Sequence, residues 1–231
     1  MKTIMLDAGH GGSDVGAVNG ARKESVDVLK LAKSIKEYLE KRSGGEIKVY
    51  MTRTVDTYVG LLDRSEMANN KKVDCFVSLH RDSAGSSANG CTVRVQNGCI
   101  NGNAGKLAKA ITKRTNVFFK GNRADDDNVI EQNLSVTRNT IMPSCLVEAG
   151  FITSSKDNNI FDKQYQKLVE AIGDGIMEYL GVKKVVQNTS TVKGVFRVVV
   201  GSYADRKNAE AMQKKLKDKG FDSFLIFESK K

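Results

Sequence analysis

Two hydrophobic periods alternate along most of the chain. Residues 3–6 (TIML) and 47–51 (IKVYM) read as short strands, and DCFVSLH, residues 74–80, reads as a buried strand that ends in a polar residue. Between them Val28, Leu31, Ala32, Ile35 and Leu39 fall on one helical face, and Leu61, Leu62, Ser65 and Ala68 suggest another. GCTVRVQNG, 90–98, alternates as a strand does and precedes a helical stripe at Leu107, Ala108, Ile111 and Phe118. SCLVEAGF, 144–151, is a core strand that breaks at Gly150, after which Tyr165, Leu168, Val169, Ile172, Ile176 and Leu180 stripe a long helix. Strands alternating with helices predict an α/β domain with a central twisted, mostly parallel sheet flanked by helices.

The pattern changes after residue 181. VKKVVQNTSTVKG, 182–194, loses both periods and gains small polar residues, as a linker does. Residues 195–231 then show strand, helix and strand, with Asp205 as N-cap and Gly220 as C-cap. The expected organisation is a main domain over 1–181, a linker over 182–194 and a small C-terminal βαβ unit over 195–231. A chain of 231 residues suffices for one sizeable core and such an appendage.

Composition narrows the class. With 40% hydrophobic and 28% charged residues the chain is neither disordered nor built to span a membrane. MKTIMLDAGHGG lacks the length and the small-residue cleavage site of a signal peptide, so synthesis in the cytoplasm without a secretion signal is expected. A formal charge of +10 predicts attraction to polyanions: nucleic acid, acidic lipid or the anionic polymers of a bacterial wall. No helix-turn-helix, zinc-finger or aromatic RNP pattern accompanies the charge, which argues against nucleic acid. Cys75, Cys91, Cys99 and Cys145 form no CxxC pair and are expected as free, mostly buried thiols.

The chain has only 2 histidines, and both stand where chemistry gathers in α/β sheets, at the carboxyl ends of strands. LDAGHGG places His10 just beyond the first strand, and His80 and Glu148 end two others, while Glu24 begins the first long helix. Two imidazoles and a carboxylate can hold zinc in three positions and leave the fourth for water, the arrangement of a hydrolytic site. A further carboxylate can then move the proton. Each residue also has a plainer reading. A loop histidine caps turns, and a carboxylate in a first helical turn gains about 0.3–1 kcal/mol from the helix dipole. Glu148 is harder to dismiss, because an unpartnered carboxylate in an apolar run costs on the order of several kcal/mol or becomes protonated. The residues taken singly leave both readings open.

The longer motifs decide between them. LDAGHGGSDVGAVNGARKE (6–24), TRTVDTYVGLLDRSEMANNKKVDCFVSLHRDSA (52–84) and LSVTRNTIMPSCLVEAGFITSSKDN (134–158) resemble, in order and spacing, the zinc-dependent N-acetylmuramoyl-L-alanine amidases of bacterial autolysins and phage endolysins. The resemblance runs from Met1 to about Leu180. It implies that His10, Glu24 and His80 are the zinc ligands and that Glu148 is the catalytic glutamate. Gly9, Gly11 and Gly12 would let the backbone fold closely around the metal. Arg53, Asp56 and Arg64 fall in the family's TR..D....L..R stretch, where an ion pair fixing a loop to the following helix is expected. Where many relatives carry a small residue and an asparagine after the second histidine, this chain has Arg81 and Asp82. Both are expected to face the groove and alter peptide preference.

The tail resembles a SPOR repeat, whose GSY...NA......L...GF pattern is present, although the chain has room for one βαβ half of that peptidoglycan-binding module. The resemblance implies a peptidoglycan hydrolase that acts on the cell wall after release by a phage holin or by mother-cell lysis. The alternative is a wall-binding protein without activity. Two copies of the half module would complete its sheet, so a homodimer through residues 195–227 is expected.

Overall fold

The computed structural model describes residues 1–85, 87–122, 127–185 and 200–227. The chain divides into two compact units, Met1–Gln187 and Asn188–Lys231, and the break falls within the stretch expected as a linker.

In the first unit β1 (Lys2–Ala8) leads through a hairpin, β2 (Val18–Asn19) and β3 (Arg22–Lys23), into α1 (Glu24–Arg42). There follow β4 (Ile47–Met51), α2 (Leu61–Lys71), β5 (Cys75–Asp82), β6 (Thr92–Val95), α3 (Asn103–Phe119) and β7 (Val129–Glu131). A short α4 (Ser135–Arg138), β8 (Ser144–Phe151), α5 (Ser155–Lys163) and α6 (Tyr165–Leu180) complete it. Six strands form one sheet in the order β4-β1-β5-β8-β6-β7. Every pairing is parallel except β6 with β8, so the sheet is mostly parallel, as the alternating periods predict.

The two faces of this sheet differ. One packs the apolar stripes of α1, α3 and α6, with Leu31, Ile35, Ile111, Ile172 and Ile176 buried against Ile4, Leu6, Val77, Leu79 and Val147. Each such side chain contributes about 1.5–3 kcal/mol on burial. The other face carries a smaller cluster of Met5, Ala68, Val73, Phe76, Val136 and Leu146, to which α2 and α4 contribute. Along that face the strands turn polar toward their carboxyl ends: Phe76, Ser78 and His80 on β5, Leu146 and Glu148 on β8.

One expected helical face is buried only in part. Arg64, Ser65 and Ala68 are the buried residues of α2, whereas Leu61 and Leu62 stand 62% and 59% exposed at its start. The four cysteines are free; Cys75, Cys91 and Cys145 are buried, and burial pushes the Cys91 thiol up to about 12. No helix among the described residues is long and apolar enough to cross a membrane.

The second unit contains α7 (Arg206–Asp218). Asp205 caps its start by accepting from the Lys207 amide at 2.7 Å, and Gly220 (φ +83°) follows its end, where the Phe221 amide reaches the Leu216 carbonyl. Residues 221–227 carry no strand assignment among the described residues. The segment expected as the first strand, 195–199, lies outside the described residues.

Candidate active site

The loop after β1 is built around an internal carboxylate. Asp7, fully buried, pairs with Arg64 at 2.7 Å and accepts from the hydroxyls of Thr52 and Ser78. Arg64 also donates to the carbonyls of Ala8 and His10, and Arg53 donates to those of Ala8, Gly9 and Ser25. Asp56 accepts from the Gly12 amide at 2.9 Å. The expected ion pair is therefore corrected: Arg64 pairs with Asp7 rather than Asp56, and both arginines grip the backbone that presents His10. The grip is needed because His10 itself sits at φ +57°, a conformation that costs a non-glycine residue about 1–3 kcal/mol.

Three elements then converge. His10 comes from this loop, Glu24 opens α1 and His80 lies near the end of β5. His10 Nε2 lies 3.1 Å and His80 Nδ1 2.9 Å from Glu24 Oε1, and one ligand atom from each residue falls within 4.8 Å of the others. Two imidazole nitrogens and a carboxylate oxygen at that separation are a donor set that fits a small divalent cation of the zinc type. The approach leaves no room for side chains at two glycines. A Cβ on Gly9 would lie 2.4 Å from His80 Nε2, and one on Gly16 (φ +67°) would lie 2.7 Å from Glu24 Oε2.

Electrostatics follow from this closeness. Burial opposes ionisation of Glu24, but hydrogen bonds from His10 and His80 outweigh it and hold the carboxyl well below the usual carboxylate range. Burial likewise disfavours the charged form of His10, yet Glu24 and Asp14 raise it to about 8. Asp14 is the carboxylate on the far nitrogen of that ring, 2.8 Å from Nδ1.

Glu148 stands beside this set. It pairs with His80 in the β5–β8 register and is buried. Its Oε1 lies 3.4 Å from Arg94 Nη1, and its Oε2 has no hydrogen-bond partner among the described residues. Burial raises the carboxyl to about 7, against the opposing charges of His80 and Arg94 and with the help of Asp82 and Glu24.

The structure corrects Arg81. Alternation along β5 sends it to the face opposite His80, where it is 1% exposed, pairs with Asp27 at 2.7 Å and lies over the Phe161 ring. It does not face the groove. Asp82 returns to the His80 side and pairs with Arg94. Three residues of the site were not singled out from sequence: Asp7, Asp14 and Arg94. Asp7 carried the same signal as Glu148, a carboxylate within an apolar run.

Residues 4–178 match the family model described as N-acetylmuramoyl-L-alanine amidase. The chain belongs to that amidase family. Residues 177–227 match a second family model, the SPOR domain. The chain is 39% identical over 184 residues to a probable cell wall amidase LytH of Staphylococcus epidermidis, an alignment covering 77% of this chain and 58% of that one. It therefore spans little more than half the length of that relative. It is 29% identical over 228 residues to the sporulation-specific N-acetylmuramoyl-L-alanine amidase of Bacillus subtilis, covering 98% of this chain and 85% of the other. Among solved structures, the catalytic domain of CwlV, an N-acetylmuramoyl-L-alanine amidase of Bacillus (Paenibacillus) polymyxa, superposes with a TM-score of 0.69 at 32% identity. That match covers 79% of this chain and all (100%) of the CwlV domain.

Proposed function

We infer that the first unit hydrolyses the amide between N-acetylmuramic acid and the L-alanine of the peptidoglycan stem peptide. The observation that carries this reading is the pairing of a buried carboxylate, Glu148, with a His10–Glu24–His80 donor set on adjoining elements. His10, Glu24 and His80 are the residues that would hold zinc. Bound there, zinc supplies a Lewis acid and lowers the pKa of water toward about 7. Glu148 takes the proton of the attacking water on its carboxylate and delivers it to the nitrogen of the departing alanine. Burial raises this carboxyl to about 7 in the metal-free chain. Asp14 fixes the ring of His10 so that Nε2 faces Glu24.

The catalytic domain is assigned to residues 1–181, the linker to 182–194 and a peptidoglycan-binding half module to 195–231, with anionic wall polymers and a second copy of the chain as further partners of the tail. Mass spectrometry of purified wall digested with the zinc-loaded chain tests the activity. The expected products are free stem peptides that begin with alanine and glycan strands that keep their lactyl carboxylates. Intact amide after digestion, with the chain bound to the wall, would establish a wall-binding protein instead.

A further inference from the structure

Arg94 and Asp82 take no part in the steps above, yet Arg94 reaches the candidate base and Asp82 pairs with Arg94. Thr92 lies directly opposite Glu148 in the β6–β8 register, and Arg94 lies opposite Leu146. Side chains two residues apart share a face, so Arg94 stands diagonal to Glu148, a separation that a long side chain bridges. Its Nη1 lies 3.4 Å from Glu148 Oε1, and its Nη2 donates to Asp82 Oδ2. Asp82 ends β5, on the other side of β8, where the pairing shifts register between His80 and Asp82. The guanidinium therefore crosses the end of β8 from one neighbouring strand to the other, passing Glu148 on the way. The three side chains are 15%, 15% and 8% exposed, so little water competes for these contacts.

Glu148 has a two-carbon stem, and its buried Oε2 has no hydrogen-bond partner among the described residues. Among the described residues, Arg94 is the group that sets the direction of its carboxylate. We propose that Arg94 is a positioning residue for Glu148 and that Asp82 holds Arg94 in place. The guanidinium pins Oε1 and leaves Oε2 for the proton. The planar fork suits this task better than an ammonium, because separate nitrogens meet separate carboxylates in fixed relation. A misplacement of about 1 Å at a reacting group costs on the order of 100-fold in rate.

The role rests on the amidase reading, and the test keeps the two apart. Amide cleavage of purified wall is measured with the full zinc-loaded chain and with Arg94→Met, Arg94→Lys and Arg94→Ala, alongside bound zinc and thermal unfolding. Arg94→Met is expected to lower kcat about 10- to 100-fold with KM changed by less than about twofold, and to retain zinc and fold. Arg94→Lys is expected to fall between it and the unaltered chain. Added ethylguanidinium is expected to recover part of the turnover of Arg94→Ala. Unchanged kcat in Arg94→Met overturns the proposal. So does a rise in KM with kcat intact, which would place Arg94 on the substrate. Loss of turnover in all three variants that follows loss of folded protein or of zinc, without recovery by ethylguanidinium, assigns a structural role and also overturns it. An unaltered chain that leaves the amide intact overturns the amidase reading itself, and the positioning role with it.

Discussion

Asp14 Oδ2 lies 2.8 Å from Nδ1 of His10, which turns Nε2 of the same ring toward Glu24 at 3.1 Å. Asp14 is itself held, because its Oδ1 accepts from the Gly16 amide at 3.0 Å. A carboxylate on the outer nitrogen of a metal-binding imidazole fixes the tautomer and strengthens the ligand, and its loss typically costs about 10- to 100-fold in metal affinity. Asp14→Ala is therefore expected to weaken zinc retention by about that factor. Its side chain is half exposed, so the fold does not depend on it. Competition against a chromophoric chelator measures the change, and an unaltered affinity would remove Asp14 from the site.

The two glutamates should separate cleanly. Glu24 lies between the two imidazoles, whereas Glu148 meets only Arg94 among the described residues. Glu24→Ala is expected to lose zinc. Glu148→Ala is expected to retain zinc and fold while losing turnover by about 100-fold or more, the range that general acid–base catalysis supplies. Metal analysis and wall lysis on both variants check this, and the opposite pattern would exchange the roles.

Burial of Glu148 also predicts a stability that depends on pH. Its carboxyl is raised from 4.5 to about 7 in the folded metal-free chain, so the neutral form is the one the fold tolerates. Below about pH 4.5 the group is protonated in both folded and unfolded chains and costs nothing. As pH rises toward 7 the unfolded chain ionises first, and stability declines across that window until the folded group ionises too. Glu148→Gln removes the ionisation. It should stabilise the chelated chain by about 1–3 kcal/mol at pH 8 and by almost nothing at pH 4.5. Urea unfolding at the two pH values decides it. A stabilisation of the same size at both would show that burial of the charge is not the cause.

Much of the fold was legible because buried parallel strands and amphipathic helices leave different periods. β1, β5 and β8 read as apolar runs, and the stripes of α1 and α6 are the faces that pack. A helical period, however, reports which residues share a face and not what covers it, so the stripe of Leu61, Leu62, Ser65 and Ala68 is buried only at Ser65 and Ala68. Arg81 was misplaced for the opposite reason. The two-residue period of β5 already put it behind the sheet, and its charge suggested a groove. His10, Glu24, His80 and Glu148 are scattered in sequence, and only motif resemblance could gather them, because their meeting depends on β1, β5 and β8 lying side by side. Arg94 was beyond reach. Its contact with Glu148 follows from the antiparallel register of β6 on β8, which no local pattern announces.

The tail carries the last expectation. Within Asn188–Lys231 no residue of α7 is buried, and Phe221, Phe224 and Phe227 are 65%, 69% and 93% exposed. Ala209, Met212 and Leu216 line one face of α7 and are only partly buried. Asn188–Lys231 is only slightly longer than the roughly 40 residues below which a folding unit usually needs a disulfide, a metal or a partner copy to persist. No cysteine lies in this segment, and its described residues form no candidate metal cluster, so a partner copy is the device expected here. A two-fold pairing presents the same surface twice and is the least demanding geometry. Light scattering should give a dimer for the full chain and a monomer for a chain ending at Val182. Phe224→Asp combined with Phe227→Asp should return the full chain to monomer mass, because each would place a charge in the apolar contact. Monomeric mass for the unaltered full chain would overturn the pairing.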